Sequence, residues 1–118
     1  MSDSTSTAPH YENLRLVRDG NNIVWLHLDM QGRSVNLLSQ AVIAEIDDAI
    51  KRLQENLPQA LIIVSDKKDS FIFGADIKEF TTLDTDQQAL QFLQNGHALM
   101  NRLEALPCAT VSMIHGFC

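Results

Sequence analysis

The sequence predicts an α/β fold in which a β-hairpin is followed by parallel strands joined by helices. Two short segments that alternate apolar and polar residues flank a DGNN turn near the start of the chain. A continuous apolar run, ALIIV at residues 60–64, is typical of a central strand covered on both faces. Apolar residues recur every three or four positions before and after that run, which indicates two amphipathic helices. Helices that alternate with strands favour parallel pairing through right-handed connections.

The first half of the chain contains the hairpin and the first helix. Strands are predicted at Leu14–Arg18 and Ile23–Leu28, and Trp25 and His27 should share a face of the second strand. Ser39 is of the residue type preferred as an N-cap, and the helix should end near residues 56–58. Its buried stripe is predicted to be Val42 or Ile43, Ile46, Ile50 and Leu53.

Residues 71–80, FIFGADIKEF, indicate the end of a strand, a glycine turn and the first turn of a helix beginning at Asp76. Gly74 suits the turn because it has no Cβ, which permits unusual φ and lets a ligand approach the main chain. The first N–H groups of a helix have no internal partner and carry the positive end of its dipole. Gly74 and Ala75 are therefore positioned to offer N–H groups to an anion or a developing oxyanion, although an ordinary strand-to-helix connection has the same spacing.

The last third of the sequence predicts a long helix and a final strand. Thr85 and Gln88 have capping-box spacing at the start of the helix, and Pro107 ends it. The strand is predicted at residues 110–115, with a turn opening at Gly116. The inward stripe of the helix should consist of Leu90, Leu93, His97, Met100 and Leu103.

Composition and charge restrict the class of protein. The chain has 118 residues, 45% of them hydrophobic, which is compatible with one globular core. Its formal charge of -6 argues against a nucleic-acid partner, because phosphate binding normally requires a basic surface. An anionic ligand would need local cations, and those available, which could equally be ordinary surface residues, are Arg33, Lys67, Lys68 and Lys78.

The termini and cysteines indicate a cytoplasmic protein. No apolar run approaches the roughly 20 residues that span a bilayer, and the N-terminus lacks the pattern of a secretory signal. Residues 1–13 are expected to be a flexible leader and residues 14–118 a portion of one domain. Cys108 and Cys118 show neither metal-ligand spacing nor a disulfide framework, so we expect free thiols and no metal.

Three segments of the sequence resemble the crotonase superfamily of enoyl-CoA hydratases and isomerases. FIFGADIKEF at residues 71–80 is similar to the oxyanion-hole segment of that family. RSVNLL at residues 33–38 is similar to its coenzyme A-gripping segment, and ATVSMIHGFC at residues 109–118 to the strand that leads into its glycine-rich loop. The segments occur in the family's order, and the resemblance covers roughly residues 14–118. It implies a crotonase-like ββα spiral, of which this chain is a truncated N-terminal portion.

The resemblance also implies a site. In the implied site, the Ala75 N–H is the first of two main-chain donors that hold the carbonyl oxygen of an acyl thioester. Coenzyme A then arrives as part of the substrate, and no covalently bound cofactor is expected. The substrate-binding residues that it implies are Arg33, Val35 and Leu37 along coenzyme A, and Phe73, Gly74, Ala75, Asp76 and Ile77 toward the thioester.

The activity that the resemblance implies is hydration of trans-2-enoyl-CoA in fatty-acid β-oxidation. The VNLLS and IHGFC segments look most like the hydratase part of a bifunctional α-subunit, whose 3-hydroxyacyl-CoA dehydrogenase half would use NAD. The family's second donor and catalytic carboxylates lie beyond the position of Cys118, and His115 stands where many members carry Asn. The 118 residues alone are therefore expected to be inactive. The carboxylates that do not match the family's catalytic positions are Glu79, Asp84, Asp86 and Glu104.

Several alternatives share these motifs. Another crotonase reaction, such as enoyl isomerisation, would use the same oxyanion device with different residues later in the chain. A non-catalytic acyl-CoA-binding or assembly domain would lack the carboxylates altogether, and a coincidental motif would leave an α/β interaction module. Within the family, the complete protein is expected to form a homo-oligomer or to associate with a thiolase.

Overall fold

Four β-strands form one sheet in the order β1-β2-β3-β4, and two long helices accompany it. The structure is a computed structural model that describes residues 11–72, 74, 78–79 and 85–116. Lys78 and Glu79 are helical, in the region where a helix was expected to begin. The elements are β1 Leu14–Arg18, β2 Ile23–Leu28, α1 Gln40–Glu55, β3 Ala60–Ser65, α2 Asp86–Ala105 and β4 Ala109–Ser112.

The predicted hairpin followed by parallel strands is confirmed. β1 and β2 are antiparallel, with Leu14 opposite Leu28, whereas β2 pairs in parallel with β3 and β3 with β4. The hairpin turn is tied by the Asp19 carboxylate, which accepts hydrogen bonds from the backbone N–H of Ile23 at 3.1 Å and from the Trp25 indole at 3.1 Å. The Asp19 side chain therefore stabilises the turn in which it lies.

The core lies on the face of the sheet against which α1 packs. Val24, Leu26 and Leu28 of β2 are buried, and the alternate residues Trp25 and His27 share the half-buried opposite face, as predicted. β3 was expected to be covered on both faces, but it alternates in the same way as β2. The reason is that the core cluster of the described residues gathers on only one side of β3.

Helix α1 has the start and the buried stripe that its sequence predicts. The Ser39 hydroxyl accepts a hydrogen bond from the Val42 N–H at 3.1 Å, and the helix ends at Glu55.

Residues 1–10 of the expected leader lie outside the described residues. Asn13 is buried and donates to the Glu45 carboxylate through its backbone N–H at 2.9 Å and its carboxamide at 2.7 Å. The buried residues of α1 are Val42, Ile43, Ile46, Ala49, Ile50 and Leu53.

Helix α2 begins as predicted but buries a different face. The Thr85 hydroxyl accepts from the Gln88 N–H at 3.1 Å, as its capping-box spacing indicates. The buried residues are Phe92 and Leu99, because the face that contains them packs toward α1, where Arg102 pairs with Asp47 at 2.5 Å. The predicted inward stripe was therefore wrong in most of its members: the exposed ones are Leu90, Leu93, His97 and Met100.

The last strand is shorter than predicted and ends at Ser112 instead of residue 115. The Met113 N–H still donates to the Ile63 carbonyl at 2.9 Å, after which the chain leaves the sheet. Gly116 has φ +64 and lies so close to the loop after β3 that a Cβ would stand 2.0 Å from the Asp69 carbonyl oxygen. Among the described residues, no helix combines the length and apolar character needed to cross a membrane.

Candidate functional site

The loops that follow β2 and β3 leave the sheet at the same edge. Leu28 and Ser65, the last residues of these parallel strands, are paired in register. Residues 29–39 therefore run beside residues 66–72 and Gly74, and these loops contain the 33–38 segment and the start of the 71–80 segment on which the sequence prediction depends. In α/β sheets, ligands commonly bind where the carboxyl ends of parallel strands meet. This edge is the candidate site.

The Asn36 side chain joins the two loops to the two strand ends. It is 3% exposed, and its carboxamide nitrogen donates to the Ser65 hydroxyl at 2.9 Å, the Phe71 carbonyl at 3.0 Å and the Leu28 carbonyl at 3.3 Å. Its carboxamide oxygen accepts from the Met30 N–H at 2.9 Å. Because buried polar groups are costly unless paired, this arrangement specifies one relative position of the two loops.

The Lys67 side chain fixes the first loop from the other side. Its ammonium is 2.7 Å from the Asp29 carboxylate, 2.8 Å from the Met30 carbonyl oxygen and 2.6 Å from the Arg33 carbonyl oxygen. An ammonium has three hydrogens to donate, and these three acceptors match that number. The side chain is only 10% exposed. Lys67 is thus a structural clamp, whereas Lys68 is exposed.

Gly74 has the backbone conformation for which glycine was expected. Its φ is +113, a region that residues with a side chain rarely adopt, and no atom lies within 4 Å of the position that a Cβ would take. The requirement for glycine here comes from the backbone angle alone. The Gly74 carbonyl accepts a hydrogen bond from the Leu38 N–H at 2.7 Å, which fixes the direction of that carbonyl group.

The Glu79 carboxylate reaches the beginning of α1. Its Oε1 accepts from the Gln40 backbone N–H at 2.7 Å. The sequence indicated only that Glu79 matches no catalytic position of the resembling family, and it predicted neither a role for Asn36 nor the clamp role of Lys67. The only local signal for Asn36 was a polar residue within the apolar VNLL segment, and nothing local indicated the partner of Glu79.

The structure locates only some of the predicted substrate-binding residues. Arg33 is exposed, whereas Val35 and Leu37 are half-buried and flank the buried Asn36. These three lie in the loop that also provides Leu38 to the Gly74 carbonyl, so the structure brings this loop and Gly74 together. The predicted site residues that lie outside the described residues are Phe73, Ala75, Asp76 and Ile77.

Two hollows flank the candidate site without including Gly74. One, of about 480 Å³, is open and lies between Tyr11 and the loop clamped by Lys67. The other, of about 280 Å³, lies between α1 and α2 and includes Gln40, Phe92 and Arg102 in its lining. Neither hollow has Gly74 in its lining.

A charged cluster lies on the half-buried face of the sheet. Asp66 is 2.8 Å from the His27 imidazole Nδ1 and 3.2 Å from the Arg15 guanidinium. Burial alone would raise the pKa of Asp66, but hydrogen bonds from His27 and Arg15 outweigh burial, so that pKa lies below its ordinary value. The cluster stabilises the edge of the sheet next to the β3 exit.

Within the described part of the chain, the remaining reactive side chains give no second site. Burial raises the pKa of the Cys108 thiol, which disfavours the nucleophilic thiolate. The His115 ring nitrogen is 3.3 Å from the Ser65 carbonyl oxygen and so contributes to strand packing. No group of three or more His, Cys, Asp or Glu side chains within the described ranges could hold a metal ion.

Comparison with known proteins finds a matching family model and similar proteins of known name. The family model described as enoyl-CoA hydratase/isomerase matches residues 19–118. The fatty acid oxidation complex subunit alpha of Shewanella halifaxensis is 35% identical over 108 residues, which are 91% of this chain but 15% of that protein. The chain thus spans a small part of such relatives.

Two solved structures have the same arrangement of strands and helices. An enoyl-CoA hydratase from Mycobacterium smegmatis superposes with a TM-score of 0.80 at 22% identity, over 86% of this chain and 39% of that one. A Mycobacterium tuberculosis protein, named an enoyl-CoA isomerase in one solved structure and a probable enoyl-CoA hydratase in another, superposes in the first with a TM-score of 0.73 at 26% identity, over 87% of this chain and 42% of that one.

Proposed function

The chain belongs to the enoyl-CoA hydratase/isomerase family, and from this premise we propose that it is the N-terminal portion of a longer enzyme that hydrates trans-2-enoyl-CoA in fatty-acid β-oxidation. Its crotonase-like α/β fold, predicted from the sequence, is confirmed by the superposition on solved enoyl-CoA hydratases. The relatives named as α-subunits of the fatty acid oxidation complex support β-oxidation as the setting. The limited coverage of those relatives supports a longer protein.

The observation that carries the proposal is the hydrogen bond between the Leu38 N–H and the Gly74 carbonyl. In a trans peptide the carbonyl and the following N–H point in opposite directions. We therefore propose that the Ala75 N–H points away from Leu38 and donates to the thioester carbonyl oxygen as negative charge develops there. A preorganised donor of this kind contributes about 3 to 4 kcal/mol to the lowering of the barrier.

The substrate is proposed to lie across the two loops. Exposed Arg33 would pair with a phosphate of coenzyme A, and Val35 and Leu37 would contact its nucleotide or pantetheine portion. The acyl end would meet Phe73, Gly74, Asp76 and Ile77. Lys67 is not assigned to the phosphates, because its ammonium is occupied by three oxygens of the chain.

Hydration adds hydroxide to C3 and a proton to C2 of the enoyl group, so it requires a base to activate water and an acid to deliver the proton. None of the described carboxylates is assigned to either role, and Glu79 is engaged with the start of α1. We propose that the longer protein supplies both carboxylates and the second oxyanion donor, and that the 118 residues alone are inactive. A dehydrogenase half, if it follows, would use NAD.

Enoyl isomerisation is the second candidate, because the similar M. tuberculosis protein is named an isomerase in one solved structure and a probable hydratase in the other. It would use the same donor but move a proton between carbons instead of adding water. We further propose a cytoplasmic protein that assembles as a homo-oligomer or with a thiolase. Product analysis separates the two reactions, because hydration yields a 3-hydroxyacyl thioester and isomerisation yields a shifted double bond.

The test compares two glycines in the longer protein. Both Gly74 and Gly96 have free space at the Cβ position, but only Gly74 has positive φ. Gly74→Ala is therefore expected to distort the turn and lower kcat/KM for crotonyl-CoA hydration by roughly 10² to 10³. Gly96→Ala should leave activity unchanged. The bulkier replacements Gly74→Val and Ala75→Trp should abolish acyl-CoA binding in isothermal titration.

The proposal fails if the wild-type protein neither binds acyl-CoA nor converts enoyl-CoA. It also fails if Gly74→Ala and Gly96→Ala have equal activity. Titration with free coenzyme A serves as a further control, since binding of coenzyme A but not of acyl-CoA would argue against a thioester site at Gly74.

A further inference from the structure

The entrance of α1 is attached to the GADIKE segment at two points. The Leu38 N–H donates to the Gly74 carbonyl at 2.7 Å, and the Gln40 N–H donates to the Glu79 carboxylate at 2.7 Å. One attachment precedes residues 75–78 in the sequence and the other follows them. Gly74 and Glu79, which lie on either side of the proposed oxyanion donor in the sequence, are thus both bound by the same three-residue stretch.

The start of helix α1 is stabilised by a carboxylate such as that of Glu79. The first N–H groups of a helix have no partner within it and favour negative charge. The Ser39 hydroxyl and carbonyl satisfy the N–H groups of Val42 and Ile43, but the first turn of α1 contains no acidic residue. Glu79 supplies the charge that the helix lacks and accepts from Gln40. The contact is therefore favourable for the helix.

The position of the residues between Gly74 and Glu79 matters because a main-chain N–H stabilises an oxyanion only when it points at the oxygen. A binding or catalytic constellation has to be held within about 0.5 Å of its productive position. Gly74 lies one residue before Ala75, and Glu79 lies four residues after it. Contacts at both residues restrict the chain between them more than a contact at Gly74 alone would.

We propose that Glu79 is a positioning residue, which holds the oxyanion segment in place by binding the start of α1 and does not itself touch the substrate. This inference rests on the proposed function, because the contact between Glu79 and Gln40 matters for catalysis only if the Ala75 N–H is the oxyanion donor. It adds a residue outside the acid, the base and the oxyanion donors. A Gln at this position would keep the accepting oxygen, whereas Ala would remove it.

The test uses Glu79→Ala and Glu79→Gln in the longer protein, with Glu104→Ala, an exposed glutamate of α2, as the matched control. Glu79→Ala should lower kcat for crotonyl-CoA hydration roughly ten- to a hundredfold with a smaller change in KM, since a misplaced donor mainly weakens the transition state. Glu79→Gln should recover most of this loss. Glu104→Ala should match the wild type.

The proposal is overturned if Glu79→Ala has wild-type kcat well below its melting temperature, because Glu79 would then only stabilise the fold. It is also overturned if Glu79→Gln is as impaired as Glu79→Ala, since a retained acceptor should preserve the contact.

Failure of the proposed function gives a different result. A wild-type protein that converts no enoyl-CoA would refute that function but leave the attachment to be judged by amide hydrogen exchange. Glu79→Ala should then speed exchange of the Gln40 and Leu38 amides relative to Glu104→Ala. Unchanged exchange would overturn the attachment itself.

Discussion

At the scale of single residues, Asn36 shows how one buried carboxamide can set the distance between two loops. Its four hydrogen bonds connect the ends of β2 and β3 with residues 30 and 71. Neither an apolar nor a charged side chain of similar size can both donate and accept in this place. The identity of this residue is therefore determined by its partners and not by contact with any ligand.

We predict that Asn36→Ala lowers the free energy of unfolding by about 3 kcal/mol, because it leaves several buried groups without a partner. Urea unfolding measures the loss. Asn101→Ala, at an exposed position of α2, should change stability by no more than about 0.5 kcal/mol. Equal effects of the two substitutions would show that the Asn36 contacts are not stabilising.

Asp66 makes stability depend on pH. Although burial opposes it, hydrogen bonding by His27 and Arg15 holds the pKa of Asp66 below its ordinary value of 3.8, so the folded state binds this proton more weakly than the unfolded state. The stabilisation is complete above pH 3.8 and is lost as pH falls through the lower, folded-state pKa. Asp66→Asn should flatten the acid limb of the stability profile measured by urea unfolding at a series of pH values. A limb as steep as that of the wild type would contradict this assignment.

At the scale of elements, the sequence identifies each helix and strand better than the face that it buries. Ser39 and Thr85 cap their helices as predicted, because a cap is a contact between residues close in sequence. The buried face of α2 was mistaken because an apolar stripe of Leu90, Leu93 and Met100 gives a clear local signal, whereas packing on α1 depends on distant residues.

Two neighbouring residues of α2 test which face is buried. Phe92 is 8% exposed and Leu93 is 50% exposed. In the 118-residue chain, Phe92→Ala should lower the free energy of unfolding by about 3 kcal/mol through lost burial and the cavity that remains. Leu93→Ala should change it by about 0.5 kcal/mol or less. Thermal or urea unfolding measures both losses of stability. A larger loss for Leu93→Ala than for Phe92→Ala would mean that the helix is rotated from its described position.

At the scale of the whole molecule, the topology follows from local patterns but the site does not. A hairpin turn, a continuous apolar strand and two helices are enough to predict one antiparallel and two parallel strand pairings. The contact between Gln40 and Glu79 joins residues 39 positions apart, so no short motif can reveal it. The glycine at position 74 could be predicted, because a positive φ is a property of a single residue.

The clamp formed by Lys67 also has an electrostatic consequence for the outer surface of its loop. The carbonyl groups of Met30 and Arg33 point at the ammonium and so turn their negative ends inward. Because both oxygens already accept from a cation, they repel an approaching phosphate group less than unpaired carbonyl oxygens would. A lysine that is itself mostly withdrawn from solvent thus lowers the repulsion at this loop.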